Sequence, residues 1–587
     1  MDAWLWVLVA VLLIWMAVAT LGRSGRLPES VGTMGPLLTV HTKRGRALLD
    51  RLARPKRAWR AWGNLGLGAA LVVGLGMFLL LVASAIQVFQ NPGAASSAVS
   101  QPRNVLVIPG VNQFLPLAVA PEIVLGLLLG MIVHEGGHGI MCRVEDIDVS
   151  SMGVVLLTVI PLGAFVEPDE ESQRDAPRGS RSRMFAAGVT NNFLLTAICF
   201  LLLFGPVAGA IAVAPGAAVG GTLPSSPASQ AGIARGDRIV AVDNHSVANN
   251  SDLTPALAAT PGRRVDVTLA SGRTTGLNRS LLVRAAPTTG PFRSVSINTT
   301  VTAVNGTAVY TQRGFDAAVR NRSMATLTLL NRSSGETRTV TGPIGALVLV
   351  QSGGPSADAG LPSDGSVVIT RLGGRRIVNY TDVSAALSTT RPGDSIDVRA
   401  YANGGFRNYT VTLGTNPTSG VGFLGVRGAI GTSGLSFTDF GVQLYPADTF
   451  FAYLGGATGG GGIAGFVRSV GTALFLPFLS VLDPTLSYNF AGFYGWNANF
   501  FTGGVLALLS ANALFWTGWI NLNLAFFNCI PAFPLDGGHL LRTSAEAVVS
   551  RLPIADRRAA VRAVTTGVGL TMLGCLVLMV FGPQLSM

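Results

Sequence analysis

The chain has 587 residues, 49% of them hydrophobic and only 12% charged, and its mean hydropathy of +0.47 excludes an ordinary soluble domain. The formal net charge is +12, but many of the arginines and both lysines, Lys43 and Lys56, sit in short stretches beside apolar segments. That distribution is the one found in cytoplasmic loops of membrane proteins, and it argues against nucleic acid as a partner.

A membrane-crossing helix needs about twenty apolar residues, and six segments qualify, at about 3–21, 64–88, 118–142, 185–207, 505–530 and 562–582. The first begins with Asp2 in place of a basic residue, and Arg23 and Arg26 follow its apolar run, so it is expected to be a retained anchor with its N-terminus outside. The densely basic loop 41–60 belongs in the cytoplasm, as do 171–183 and the arginines between Arg542 and Arg562. By parity, the polar stretch from about 208 to 430 and the C-terminus lie outside. Nine Asn-X-Ser/Thr acceptors, at Asn244, Asn249, Asn278, Asn298, Asn305, Asn321, Asn331, Asn379 and Asn408, all fall within that stretch. They make it an expected extracytoplasmic glycoprotein region. Glycosylation, with arginine used almost to the exclusion of lysine, suggests a GC-rich archaeon. The apolar residues 463–483 are expected to form a re-entrant or interfacial element, since a crossing there would put the Arg542–Arg562 loop outside. The four cysteines, Cys142, Cys199, Cys529 and Cys575, form no CxxC and lie in or beside apolar segments, which argues against a disulfide framework or a cysteine zinc site.

Within the polar stretch, residues 231–257, 297–319 and 359–387 share a pattern: a β-rich run, a turn pair and a short helix, followed by alternating strands in 263–270 and 394–401. The first and third copies resemble PDZ domains, and the middle one, lacking their opening, reads as a partial repeat. The resemblance implies that an extended peptide or a C-terminus docks there by strand addition.

The third span ends in MIVHEGGHGIM (131–141). HExxH on a helix sets two imidazoles, His134 and His138, on one face within reach of a single Zn²⁺ and puts Glu135 beside the attacking water. Histidine and glutamate inside a membrane helix are costly and mark function. A hydrolytic zinc site takes three protein ligands. The fifth span ends in FNCIPAFPLDGGHLLR (527–542), where irregular backbone broken by Pro531 and Pro534 carries Asp536, favoured over His539 as the third ligand. Cys142, one turn after His138, reads as a small apolar residue of the helix.

HEGGH with a distant N-x-x-P-x-x-P-L-D-G-G resembles the site-2 protease family of intramembrane zinc metalloproteases. LLTVIPLGAFVEPDEES (156–172) and AAGVTNNF (186–193) add to the likeness. The resemblance implies a polytopic α-helical membrane protein of about six spans with an extracytoplasmic α+β PDZ-like insert. It implies one zinc per chain, held by His134, His138 and Asp536, with Glu135 as general base. It further implies that Asn192 and Asn528 hydrogen-bond an unwound transmembrane substrate, and that a β element near 150–166 holds that substrate extended. The expected organisation is an N-terminal two-span region (1–110), a membrane core with HEGGH (111–207), a first PDZ-like module plus partial repeat (208–342), a second module (343–430), the re-entrant or interfacial segment (431–500) and a core with LDGG (501–587). Two other readings stand beside it. One is a membrane-anchored peptidase working in the cytosol, with a third ligand among Glu145, Asp146, Glu167 and Glu170. The other is a non-catalytic PDZ scaffold or sensor, which has no need of His, Glu, His and Asp in lipid.

Overall fold

The computed structural model describes residues 30–90 (35 and 36 excepted), 119–157, 160–260, 262–297, 299–416, 420–454, 462–482 and 500–582, with a few isolated positions before residue 30. The chain divides into two compact units, Met1–Val213 with Asp448–Met587, and Ala214–Ala447.

The first unit opens with strands β1 (Val31–Met34) and β2 (Leu37–His41). Thr42 caps the helix that follows, its hydroxyl accepting the Gly45 N–H at 3.3 Å. This is α1 (Lys43–Leu52), and after Pro55 the long helix α2 (Lys56–Gln90) begins. Helix α3 (Ala120–Val144) carries the HEGGH motif. Strands β3 (Val149–Leu157) and β4 (Ile160–Pro168) then join β1 and β2 in one antiparallel sheet of order β1-β2-β3-β4. The remaining helices are α4 (Arg178–Leu202), α5 (Gly504–Asn528), α6 (Asp536–Val549) and α7 (Arg557–Phe581). Among the described residues α2, α3, α4 (with the turn that continues it to Val207), α5 and α7 are long and apolar enough to cross a membrane. They correspond to five of the six expected spans; the first, 3–21, lies outside the described residues except at isolated positions. The expected re-entrant element at 463–483 is a helix, Gly462–Leu482, with Pro477 inside it.

Lipid offers no hydrophobic drive between helices, so small residues and buried polar groups hold these together. Gly126 of α3 meets α5 closely: a Cβ there would lie 3.2 Å from Thr517 Cα. Asn521 of α5 donates to the Gly126 carbonyl at 3.2 Å, and Thr196 of α4 donates to the Gly518 carbonyl at 3.3 Å. At the other end of α3, Leu49, Ala53, Ile140, Met141, Cys142 and Met184 close a separate apolar core.

The second unit holds three antiparallel six-stranded sheets of one topology. The first runs Thr274–Asn278, Arg264–Leu269, Arg238–Val242, Ala217–Thr222, Val442–Leu444. The second runs Thr337–Pro343, Met324–Asn331, Thr299–Val304, Leu281–Ala285, Ser436–Thr438. The third runs Gly405–Thr412, Ser395–Ala402, Ser366–Leu372, Ala346–Val350, Val426–Gly428. Each has a two-residue strand paired beside its third member and its own apolar core, built around Val267 and Phe440, Phe315 and Leu327, or Ile369 and Val411. The edge strands return in reverse order, the third module closing first and the first closing last, so the modules are nested. The middle stretch, expected to be partial, has the same strand order as the others. A boundary at 430 falls between the return strand of the third module and those of the other two. The middle module's similarity was hidden because its strands, not its opening motif, preserve the pattern.

A buried arginine, Arg279, and a half-buried one, Arg376, pin the modules to one another. Arg279, 2% exposed, donates to the Thr260 carbonyl at 2.6 Å and pairs with Asp439, whose other oxygen accepts the Gln312 N–H at 2.8 Å. Arg376 donates to the carbonyls of Thr370 and Ile344 at 2.7 and 2.9 Å. Of the nine sequon asparagines, Asn244, Asn278, Asn305, Asn321 and Asn408 are exposed and Asn249, Asn331 and Asn379 half-buried; Asn298 lies outside the described residues.

Candidate metal centre

His134 and His138 stand one turn apart on α3, and both are buried. Asp536 reaches them from the first turn of α6. Its position depends on the two glycines that follow. A Cβ on Gly537 would lie 2.4 Å from the carbonyl oxygens of Cys529 and Ile530, and one on Gly538 would lie 2.6 Å from the carbonyl carbon of Ala532. The first turn of α6 therefore rests directly on the backbone of the preceding loop, which only glycine allows.

The three potential ligand atoms converge. His134 Nε2 and His138 Nε2 are 3.2 Å apart, and Asp536 Oδ2 lies 3.2 Å from the first and 3.4 Å from the second. Zinc bonds of about 2.0–2.1 Å at tetrahedral angles set donor atoms about 3.3 Å apart, so the spacing fits that ion. The hydrogen bonding fits as well. His138 Nδ1 faces the Met184 carbonyl at 2.8 Å and must donate to it, which leaves the Nε2 lone pair directed at the centre. His134 Nδ1 lies 3.2 Å from the amide of Asn192, a residue with no exposed surface. With the amide oriented so that Oδ1 takes up the Nδ1–H, that otherwise unpartnered oxygen is satisfied and His134 Nε2 is also free to ligate. Asp536 Oδ2 is buried without a hydrogen-bond donor. Three electron-pair donors facing one another in a buried space form a set that a bound cation would satisfy.

Helix α4 approaches this centre through Gly188, where a Cβ would fall 2.5 Å from His138 Nε2 and 2.8 Å from His134 Cε1. Glu135 turns toward β4, and its Oε2 accepts the Val166 N–H at 3.1 Å. Asn528 is half-buried at the last position of α5. His539 is not among the converging groups; its ring stacks on Phe185 at 4.3 Å between centroids. Cys142 is packed with Leu49 and Met184. Glu145, one of the alternative acidic ligands, is engaged elsewhere: Arg183 donates to both its oxygens at 2.8 and 2.9 Å, Ser180 at 2.6 Å and Arg60 at 3.2 Å.

The supporting contacts from Met184, Val166 and Gly188 are absent from the sequence reading. Two are backbone groups with no sequence signature. The third had a signal in the glycine of AAGVTNNF, whose spacing from Asn192 puts both on one side of α4.

The profile of peptidase family M50 matches residues 122–371 and 493–574. An uncharacterized protein of Methanocaldococcus jannaschii is 28% identical over 197 residues, 33% of this chain and 50% of that protein. A protein of Clostridium acetobutylicum named "Putative zinc metalloprotease" is 28% identical over 167 residues, 24% of this chain and 48% of its own. A membrane-bound transcription factor site-2 protease homolog of Arabidopsis thaliana is 25% identical over 148 residues, 25% of this chain and 27% of its own. The chain thus spans at most about half the length of these relatives. The family profile covers more than half of the chain and includes both HEGGH and LDGG, and the protein belongs to peptidase family M50.

Proposed function

We propose that the protein is a zinc-dependent intramembrane endopeptidase that hydrolyses peptide bonds within or near transmembrane segments of membrane-anchored proteins, in regulated intramembrane proteolysis. The observation that carries this reading is the convergence of Asp536 on His134 and His138, which stand with Glu135 on a helix apolar enough to span the bilayer. One zinc ion held by those three residues would supply Lewis acidity toward the scissile carbonyl and toward the attacking water. Glu135 takes the proton from that water and delivers it to the leaving amine. The Val166 N–H orients its carboxylate meanwhile. Asn192 and the Met184 carbonyl hold the two imidazoles in the ligating tautomer, so the role assigned to Asn192 is positioning, whereas Asn528 offers an amide to the unwound substrate backbone.

Glu135→Gln should keep the zinc and lose cleavage of a reconstituted transmembrane substrate by at least about a hundredfold, because an amide cannot accept the proton. Near-normal turnover in that variant would remove Glu135 as the base.

The enzyme is a multi-pass protein of the cell membrane, with both termini and 208–430 outside and the metal near the cytoplasmic face. The charge distribution and the sequon cluster support this orientation separately. Protease added to intact cells should trim 208–430, at a mass raised by glycans, and spare 41–60; the opposite pattern inverts the topology. The modules of the 214–447 unit would take a peptide or a C-terminus by strand addition.

A further inference from the structure

A cleft of about 1230 Å³ opens among α2, α6, α7 and the loop 530–535. Its lining is divided by polarity. At one end stand Arg178, Arg542, Arg557, Arg558 and Arg562, with Glu546 as the acidic residue among them. Glu546 is already paired, with Arg181 at 2.9 Å and Arg542 at 3.4 Å. Arg178, Arg557, Arg558 and Arg562 form no ion pair among the described residues, and their charge faces the opening unbalanced. At the other end stand Met77 and Leu81 of α2 with Leu570, Leu573 and Leu576 of α7.

Along α7 the change is ordered. Arg558, Arg562, Thr565, Gly569, Met572 and Leu576 follow one another at helical spacing along the cleft wall. At 1.5 Å per residue the apolar run from Thr566 to Leu576 covers about 15 Å, half of a hydrocarbon core about 30 Å thick. A groove with a basic end and an apolar wall one leaflet deep matches one kind of occupant. A transmembrane helix would need apolar wall across the whole core and no cluster of arginines.

We propose that this cleft binds one anionic glycerophospholipid, its phosphate among Arg557, Arg558 and Arg562 and its chains against α2 and α7. The recognition is charge complementarity at the headgroup combined with apolar burial along the chains. The lipid would lie against Pro531, Ala532, Phe533 and Leu535, the loop that leads directly into Asp536. The proposal does not depend on the proteolytic reading, because it concerns binding alone.

The test uses the full-length protein in nanodiscs of phosphatidylcholine containing a minor fraction of phosphatidylglycerol, with lipid retained after detergent extraction counted by native mass spectrometry. One phosphatidylglycerol per chain is expected to remain. The triple variant Arg557→Gln/Arg558→Gln/Arg562→Gln should weaken retention by roughly tenfold or more. The variant Arg51→Gln/Arg54→Gln/Arg57→Gln removes the same charge from exposed positions that do not line the cleft, and it should change retention less than about twofold. A Cβ on Gly569 would meet no atom within 4 Å, so the side chain of Gly569→Phe starts into open space at the cleft wall and keeps every arginine. It should also displace the lipid, and it serves if the triple variant does not fold. Equal losses in the two arginine triples, equal retention of phosphatidylcholine, or undiminished retention in Gly569→Phe would each overturn the proposal. So would a substrate helix crosslinking into the cleft in place of lipid.

Discussion

Gly188 shows how closely the candidate centre depends on an atom that is not there. A methyl group at this position would sit 2.5 Å from His138 Nε2, nearer than any real Cβ contact, and the neighbouring atom is a candidate ligand nitrogen whose ring is fixed from behind by Met184. The ring cannot retreat without losing that hydrogen bond. Gly188→Ala should therefore lower zinc affinity by roughly 10–100-fold, the range seen when the groups that orient a ligand are disturbed. Helix propensity runs the other way, since alanine is favoured over glycine by about 1 kcal/mol in a helix interior. The variant should thus remain folded while losing metal, as measured by metal analysis beside thermal unfolding. Full zinc occupancy in Gly188→Ala would mean that α4 does not press on the ligands as described.

At the scale of elements, the polar ends of α2, α3 and α4 meet at Glu145, whose carboxylate is 3% exposed. Burial pushes this carboxyl upward, but hydrogen bonds from Arg183 and Ser180 and the charges of Arg183 and Arg60 outweigh it and hold it at about 2. A carboxylate lowered in the folded state stabilises fully above its unfolded value, about 4.5, and its contribution fades as the pH falls toward 2. The contribution is on the order of 3 kcal/mol. Unfolding of the detergent-solubilised protein should become easier between pH 4.5 and 2 in the wild type. Glu145→Gln should be less stable at neutral pH and lack this component of the pH dependence. Identical pH profiles for the two proteins would show that the junction of the three helices does not rest on this carboxylate.

Across the whole molecule, the candidate metal ligands His134, His138 and Asp536 and the proposed base Glu135 all belong to one unit, and the nested β modules form the other. We propose that the modules act on the extracytoplasmic part of a substrate and take no part in the chemistry. Replacing 215–425 with a flexible linker should preserve zinc binding and permit cleavage of substrates whose ectodomains have not been trimmed. Such a deletion would leave the return strands 426–444 without partners, so the linker variant should be paired with one that removes 215–446. If either deletion protein is folded and zinc-loaded yet cleaves nothing, short substrates included, the modules act directly in catalysis.

HEGGH and LDGG were legible because their chemistry lies in residue types at fixed spacing: two imidazoles one helical turn apart, and a carboxylate in backbone that lipid alone would not tolerate. Five helices long and apolar enough to span were legible from the length of their apolar runs, since the bilayer imposes that length on any helix that crosses it. The nesting of the three modules was not, because the three-residue edge strands that close them are too short to carry a period, and the last pairs across more than two hundred residues, Leu444 with Val219. Strands β1 and β2 were missed for a related reason: their place beside β3 follows from long-range register. The contacts that support the candidate metal centre are likewise a product of packing. A carbonyl at Met184, an N–H at Val166 and the missing side chain of Gly188 acquire their roles only when α4 and β4 are brought against α3, since a backbone group looks alike at every position in a sequence.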